Sequence, residues 1–564
     1  MIAALLLTAL IAKADTNADS SATCKGERVS AVSINARRPS FGGSASKWRT
    51  IAHALGLHHV TTRSGVIRAF SFVHPGDECT TQRMQETERV LRALPFLADA
   101  SVRAVPSDSG MVAVEIETTD EVPVLAAGGL RHAVPTSFSV GNENLFGLGT
   151  MVDFGIGSNS PYRTSGFVRG SVYGVFGSPT LATANATRER LGDHVDLALS
   201  RLLLSDLQRV AWNATYRAGD DFPIVVRPVG DDQSVEVHDH RWSVGTIHRV
   251  NFGATPFLIG PVVLGNSISP ASTSIVVSDS GAVVQRDSAL LARFQPFHAM
   301  RLGALVGARR VRFVTRNGFD ALFAPQDLMV GWQAGTLAAP SLTHDGGHDF
   351  LLAPSIYVGA ASRRTAILAD LEGEARREFD SGTTATIANV HATAYVKPSE
   401  RLLLSAEDNF SVIDRAALPT QLTMSDALGG PRGFAGSPLL GARRDVLRLE
   451  ARFAVPALVH RADLGVALFA DAGWIDAGNV PFGTTGTAHS VGFSLIGAYP
   501  TRSKHTYRLD VAFPTGGTGG TGIHRVQVRF INGDPTSNFA VEPGDVTQAR
   551  MAPVPSSLFT WPGR

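Results

Sequence analysis

From about Ser137 onward, apolar and polar residues alternate in segments of roughly ten, which clusters of Gly, Pro, Asp and Asn separate. The clearest segments are residues 210–217, 507–513 and 525–530. A strand that is apolar on one face and polar or charged on the other fits between lipid and a wet lumen. A soluble β-sandwich also alternates, but this length would require two or more such domains. The pattern therefore favours a mainly β fold with a transmembrane β-barrel.

The length of this region predicts the number of strands. Residues 138 to 530 number 393, and sixteen strands would leave about 25 residues for each strand with its connection, against the ~10 that a tilted spanning strand needs. We therefore expect a 16-stranded antiparallel barrel over residues 137–531. Counting back from the last strand places residues 429–436 in the sixth outer loop, between strands eleven and twelve.

Residues 26–120 combine alternating segments with segments of helical periodicity, which predicts a small α+β domain. Residues 26–34 alternate like a strand, and residues 63–70 and 80–94 read as helices, the second with Met84, Thr87, Leu91 and Leu94 on one face. Residues 100–106 and 111–118 alternate again, and a turn containing Asp and Gly joins them. The expected order is β-α-α-β-β.

Composition and the chain ends narrow the classes of function. Charge is balanced, with 51 Lys and Arg against 50 Asp and Glu, which argues against nucleic-acid binding. Residues 1–14 read as a signal peptide, because an 11-residue apolar run precedes Ala12-Lys13-Ala14. This run is too short to span a bilayer, and no stretch elsewhere approaches the ~18 consecutive apolar residues of a spanning helix. Residues 532–564 form a Pro-rich carboxyl-terminal tail. We therefore expect an exported protein that is not a helical membrane protein.

The chain has two cysteines, Cys24 and Cys79. Export to an oxidising compartment would allow them to form one disulfide, and two unpaired thiols are the equally weighted alternative.

Several motifs follow one another in a fixed order. The barrel region opens with Gly141-Asn142-Glu143-Asn144-Leu145-Phe146-Gly147, and Arg432-Gly433-Phe434, Glu450 with Arg452, and Asp471 with Gly473 follow. Together they resemble the bacterial surface antigen superfamily of outer-membrane assembly and translocation barrels (BamA/TamA-like). Residues 26–120 resemble the POTRA domain of that family. The resemblance implies a barrel-start motif at Gly141, Asn144, Leu145, Phe146 and Gly147, and a loop-6 lock at Arg432, Gly433, Phe434, Glu450, Asp471 and Gly473.

The strand pattern gives the lock an independent argument. On residues 447–455 the apolar set faces lipid, which turns Glu450 into the lumen, and the same parity turns Asp471 inward. Arg432 is the candidate tether, since a guanidinium fork satisfies carboxylates in a way that Lys does not. The alternative is that these carboxylates are ordinary luminal charges solvated by water.

Signals for enzymatic chemistry are weak. His344 and His348 lie four apart, but the intervening Gly346 and Gly347 favour a loop over a helix, and a zinc site needs a third ligand. Residues 517–522 match a dinucleotide-binding motif in letters only, because no helix follows. We expect no enzyme activity, no metal and no cofactor.

The resemblance implies a function in the bacterial outer membrane. The POTRA domain would lie in the periplasm and receive client polypeptides, and the barrel with its inward-folded loop would assist insertion or passage. Partners would be unfolded outer-membrane or secreted proteins, outer-membrane lipid and periplasmic or accessory subunits. One alternative is a two-partner secretion translocator, although such proteins carry two POTRA domains and an amino-terminal plug helix. The other is a passive porin or structural barrel with a docking module.

Overall fold

The computed structural model describes residues 24–38, 60–107, 110–131, 134–158, 164–227, 230–252, 255–278, 281–344, 348–434, 439–459, 462–499, 501–517, 526–533 and 542–551. Within these ranges the chain forms a small α+β domain, a closed barrel and a carboxyl-terminal helix. No helix in this part is long and apolar enough to cross a membrane. The predicted signal peptide lies outside the described residues.

The amino-terminal domain follows the predicted order, with one short strand added. Its elements are β1 Lys25–Arg37, α1 Ser64–Ala69, β2 Glu78–Thr80, α2 Thr81–Arg92, β3 Leu97–Pro106 and β4 Val112–Asp120. The sheet order is β2-β1-β4-β3, with β1 parallel to β4. Thr80 caps α2 by accepting a hydrogen bond from the Arg83 amide. The three-residue β2 is too short for an alternation signal, so the sequence did not predict it.

The core of this domain lies between the sheet and the two helices. It contains Ile67, Phe70, Leu91 and Ile116, all almost fully buried. Cys24 and Cys79 form a disulfide that ties the beginning of β1 to β2, and their Cα atoms are 5.3 Å apart. The structure therefore brings together the two cysteines that the sequence left open between a disulfide and free thiols.

The barrel is a single closed antiparallel sheet, and its described residues form twenty spanning strands. These strands are β5 Val124–Arg131, β6 Val134–Asn142, β7 Thr150–Ser158, β8 Thr164–Tyr173, β9 Leu181–Glu189, β10 Asp193–Arg201, β11 Val210–Asp221, β13 Asp232–Phe252, β14 Thr255–Ser278, β16 Phe297–Asn317, β17 Pro325–His344, β18 Asp349–Ala361, β19 Thr365–Glu378, β20 Thr384–Val396, β21 Leu402–Asp414, β24 Arg443–Val459, β25 Ala462–Asp476, β26 Gly486–Ala498, β27 Thr506–Gly517 and β28 Gln527–Gly533. Short elements interrupt the connections: β12 Ile224–Val225, β15 Gly281–Val284, α3 Ser288–Leu291, β22 Leu422–Thr423 and β23 Leu440–Gly441.

The prediction of sixteen strands was wrong. The average of about 25 residues per strand fails for β5 to β10, which are strands of eight to ten residues joined by short connections. The barrel also begins at Val124, before the expected boundary at residue 137. The sequence did not predict β5, because its residues Ala126, Ala127, Gly128 and Gly129 show no clear alternation. The five strands from β24 to β28 are the ones that the count back from the last strand assumes, so that count is unaffected.

The alternation of side chains predicted for β24 and β25 is confirmed. Leu447, Leu449 and Phe453 are exposed on the outer surface, and Glu450 points away from them. On β25, Leu468 is 69% exposed while the next residue, Phe469, is 4% exposed. The outer face is thus apolar and the inner face carries the charges.

The two ends of the barrel differ. The proximal rim, defined by the turns at 143–149, 174–180, 202–209, 318–324 and 501–505, contacts the amino-terminal domain. The distal rim, at the other end, carries the connection from β21 to β24. We call its described residues, 415–434 and 439–442, the luminal loop. This is the eighth distal connection and not the sixth, because twenty strands replace sixteen.

Candidate functional site

The luminal loop turns sharply and folds into the barrel. Gly429 and Gly433 adopt φ angles of 96° and 93°, which favour glycine. The loop also closes on itself, since the Asp426 amide donates to the Phe434 carbonyl at 2.7 Å and the Gly430 amide donates to the Ser425 carbonyl at 2.8 Å. This compact turn presents the side chain of Arg432 to the barrel wall.

Arg432 meets Asp471 through a two-pronged contact. Its Nε donates to Oδ2 at 2.9 Å and its terminal NH2 group to Oδ1 at 2.7 Å, while its backbone amide also donates to Oδ2 at 2.9 Å. The guanidinium carbon lies 3.6 Å from the centre of the Phe469 ring. Carboxylate and ring together fix both the position and the plane of the guanidinium.

Glu450 is shared by three arginines. Arg432 donates to it at 3.1 Å, Arg452 at 3.0 Å and Arg508 at 2.6 Å. Arg508 also donates to Asp510 at 2.6 Å, and Arg448 donates to the Gly430 carbonyl of the loop at 2.8 Å. The loop is therefore held by a network and not by one ion pair. We call Arg432, Glu450, Asp471 and Arg508 the luminal lock.

The remaining residues of the predicted lock shape the approach of the loop. A Cβ atom on Gly473 would lie 2.9 Å from atoms of Met424 and Pro431, so glycine allows the loop to contact the wall. Phe434 is buried in an apolar cluster with Leu422 and Ile475. The structure thus brings together all six residues of the predicted lock, although the loop has a different ordinal number.

Sequence reasoning missed several members of this network. Arg508 and Arg529 lie on the polar face of the alternating segments 507–513 and 525–530. The contacts of Arg508 with Glu450 and of Arg529 with Asp426 in the loop were not foreseen. The alternation of β27 and β28 gives the direction of such side chains. It does not give the strand pairings and loop path that decide their partners.

The barrel-start motif lies at the proximal rim, in the turn between β6 and β7. The Asn144 side chain accepts a hydrogen bond from the Gly149 amide at 2.9 Å and donates to Thr62 Oγ1 at 2.8 Å. The Gly147 carbonyl accepts from the Arg63 amide at 2.9 Å. A Cβ atom on Gly147 would lie 2.3 Å from the Thr61 carbonyl oxygen. The motif therefore contacts the amino-terminal domain.

The other motif residues support the same turn. Gly141 lies where a Cβ atom would be 2.4 Å from the Val152 carbonyl oxygen of the neighbouring strand. Leu145 is half-buried, and Phe146 is exposed with a φ of 56°.

Further contacts between domain and rim were not predicted. The Arg92 guanidinium donates two hydrogen bonds of 3.0 Å to Asp327 at the beginning of β17. Lys504 donates to the backbone carbonyls of Leu94 and Arg92 at 2.5 and 2.8 Å. Burial disfavours the charged form of Arg92, but Asp327 and Glu88 outweigh burial and raise its pKa. The domain is thus bound to the rim by charge-assisted hydrogen bonds.

One group of side chains has the donors of a metal site. Among the described residues, Asp220, Glu236 and His238 have oxygen and nitrogen atoms within 4.8 Å of one another. His348 is exposed, and residues 345–347, which complete the weighed histidine motif, lie outside the described residues.

Comparison with known proteins gave matches at the level of structure only. No family model matches the chain, and no curated protein matches it. Among solved structures, BamA from Haemophilus ducreyi lacking POTRA domains 1–3 is similar at 11% identity and a TM-score of 0.40, with 90% of this chain and 85% of that chain covered.

Two further similar structures are CdiB proteins. CdiB from Escherichia coli has 11% identity and a TM-score of 0.45, with 92% of each chain covered. CdiB from Acinetobacter baumannii has 10% identity and a TM-score of 0.44, with 90% of this chain and 74% of that chain covered. Identities and TM-scores this low do not assign the chain to a family.

Proposed function

We propose that the protein is an outer-membrane barrel that handles polypeptides, in which a POTRA-like periplasmic domain receives an extended client chain and the barrel assists its insertion or passage. The apolar outer face of the barrel suits lipid, and its charged inner face suits a wet lumen. Because the amino-terminal domain contacts the proximal rim, a periplasmic domain places that rim on the periplasmic side of the membrane. Clients would be unfolded outer-membrane or secreted proteins.

The observation that carries the proposal is an open strand edge on the amino-terminal domain. Strand β2 pairs with β1 only at Lys25 and Arg28, and β4 covers the other side of β1. Within the described residues, nothing pairs with the outer edge of β1 from Ala31 to Arg37. Such an edge binds an extended chain through backbone hydrogen bonds, with little demand on its sequence.

The side chains along this edge suit a strand that is apolar on one face. Val32, Ile34 and Ala36 are only partly buried against the domain core, while Ser33 and Asn35 on the opposite face are exposed. An added strand would cover the half-buried face with its own apolar side chains. Strands of an outer-membrane barrel have this alternation.

The luminal lock favours polypeptide handling over a passive pore. A porin holds a water-filled channel, whereas here a loop is folded into the lumen and tied by Arg432 to Asp471 and Glu450. A loop held by a polar network can take a second position, because its charged groups regain hydration on leaving.

The test blocks the open edge without removing it. A charge that points inward from an edge strand prevents the addition of another strand, so Ile34→Lys should weaken binding of a fluorescent peptide that alternates apolar and polar residues and matches β1 in length. We expect the full-length variant to lose at least about tenfold in affinity, which corresponds to about 1.4 kcal/mol.

Ser33→Lys is the matched control, because it adds the same charge to the same strand on the exposed face. Binding by Ser33→Lys should stay close to that of the unsubstituted protein. Folding of both variants is checked by circular dichroism of the reconstituted chain. Equal binding by the two folded variants would remove the edge as the client site.

A further inference from the structure

The described part of the carboxyl-terminal tail beyond β28, residues 542–551, lies inside the barrel. Residues 542–551, the carboxyl-terminal segment, contain the short helix α4 Gly544–Ala549. Their backbone carbonyls accept hydrogen bonds from Arg241 on β13 and Asn266 on β14, and the Met551 amide donates to Glu374 on β19 at 2.9 Å. Strands β13, β14 and β19 are not all neighbours in a closed sheet. A segment that contacts all three through inward side chains lies in the lumen.

A buried ion pair attaches this segment to the barrel wall. Asp545 accepts from two nitrogens of Arg444 on β24 at 2.6 and 3.1 Å, and the Arg444 side chain is 0% exposed. Asp545 also accepts from the Thr423 amide of the luminal loop at 3.2 Å. The segment is therefore joined both to the wall and to the loop.

Apolar contacts complete the attachment. Val546 and Ala549 are buried in one cluster with Leu422 and Met424 of the luminal loop. Met551 packs in a second cluster with Phe297. The luminal loop and the segment thus share one core.

The segment lines two cavities of the lumen, and Glu542 and Gly544 border both of them. One, of about 280 Å³, is lined by Glu542, Pro543 and Gly544 together with Arg432 and Arg508 of the lock. The other, of about 940 Å³, is lined by Thr547, Gln548 and Arg550 together with residues of β8 to β11.

We propose that the carboxyl-terminal segment is a releasable plug, held in the lumen by the Arg444–Asp545 ion pair and by its core with the luminal loop. It belongs to no strand of the barrel wall, so its release breaks no strand pairing. A six-residue helix has little stability of its own in water, and its place depends on these contacts. The charged groups regain hydration on release, which lowers the cost of opening compared with a wholly apolar plug.

The first experiment measures ion flow through the purified full-length protein in a planar lipid bilayer. Asp545→Asn keeps the shape of the side chain but leaves the buried Arg444 without a charged partner. We expect it to raise the fraction of time in the high-conductance state at least about tenfold. Deleting residues 542–564 should hold the channel in that state. Gln548→Ala is the matched control, because its exposed side chain faces the cavity, and it should leave the conductance unchanged.

A second measurement follows the segment directly. Val546 is fully buried, and Val546→Cys is close to it in size. Its labelling by a small charged thiol reagent should be slow in the otherwise unsubstituted chain and at least about tenfold faster when combined with Asp545→Asn.

Equal conductance of the unsubstituted, Asp545→Asn and deletion forms would overturn the plug. So would fast labelling of Val546→Cys in the otherwise unsubstituted chain. Neither readout uses a client polypeptide, so failure here is distinct from failure of the proposed function.

Discussion

Single side chains decide where the luminal loop rests. Asp471 is bound by the side chain and the backbone amide of Arg432, and Glu450 balances three guanidiniums at once. Removing one partner of a buried ion pair costs of the order of 3 to 5 kcal/mol when both groups are fully desolvated, and less beside water. Lys has one charged nitrogen and cannot reproduce the fork. The lock therefore depends on the geometry of Arg432 as well as on its charge.

A double-mutant cycle tests whether Arg432 and Asp471 act as one unit. The readout is the thiol-labelling rate of Ser425→Cys, a buried loop position, which reports how often the loop opens. Arg432→Ala and Asp471→Asn should each accelerate labelling at least about tenfold, and the double variant should be little faster than either. Arg432→Lys should behave much like Arg432→Ala.

Arg443→Ala is the control for this cycle, because the Arg443 side chain is exposed and its ion pair with Asp476 is long, at 3.9 Å. It should leave the labelling rate unchanged. Strictly additive effects of Arg432→Ala and Asp471→Asn on the opening free energy would show that the two side chains do not interact.

Whole strands show how far sequence reasoning reaches. The alternation of β24, β25 and β27 predicts which side chains point inward, and with it the inward direction of Glu450, Asp471 and Arg508. Strand β5 has no such signal, because its Ala and Gly residues are neither clearly apolar nor polar. The place of residues 542–551 depends on long-range partners such as Arg444, which no local pattern reveals. Local periodicity thus predicts which side chains of a strand point into the lumen, while the number of strands and the paths of the loops depend on pairing along the whole chain.

Among the described residues, the closing seam of the barrel has the shortest ladder of any two adjacent spanning strands. Strand β28 pairs with β5 only over Gln527–Phe530, opposite Gly128, Gly129, Leu130 and Arg131. By contrast, β13 and β14 pair along most of their 21 and 24 residues. A short ladder with two glycines has fewer hydrogen bonds and fewer cross-strand contacts to resist opening.

Amide hydrogen exchange of the reconstituted protein tests this difference. Peptides from β5 and β28 should take up deuterium faster than any other strand peptide of the described barrel, because local opening needs the loss of fewer hydrogen bonds. Peptides from the central parts of β13 and β14 serve as the internal reference. Equal protection of the seam and of β13–β14 would contradict the expectation.

At the scale of the whole molecule, contacts at the proximal rim join the amino-terminal domain to the barrel. Arg92 reaches Asp327, Lys504 reaches the carbonyls at the end of α2, and Ser503 donates to Glu121 at 2.8 Å. Phe96 and Tyr173 add an edge-to-face ring contact with centroids 5.4 Å apart. These contacts hold the open edge of β1 in a fixed position relative to the barrel.

Loosening this attachment should separate client binding from client delivery. Each charge-assisted hydrogen bond contributes about 1.5–3 kcal/mol, so the double variant Arg92→Ala with Lys504→Ala should free the domain while each single change has a smaller effect. Spin labels at the exposed Arg103 and Glu400 would then report a broad distance distribution in place of a narrow one.

Arg37→Ala, which removes an exposed ion pair inside the domain, should keep the narrow distribution. Because the edge of β1 is untouched, the double variant should still bind the alternating peptide but insert an unfolded barrel client into liposomes more slowly. A distribution that stays narrow in the double variant would mean that apolar contacts such as Phe96 with Tyr173 suffice to hold the domain in place.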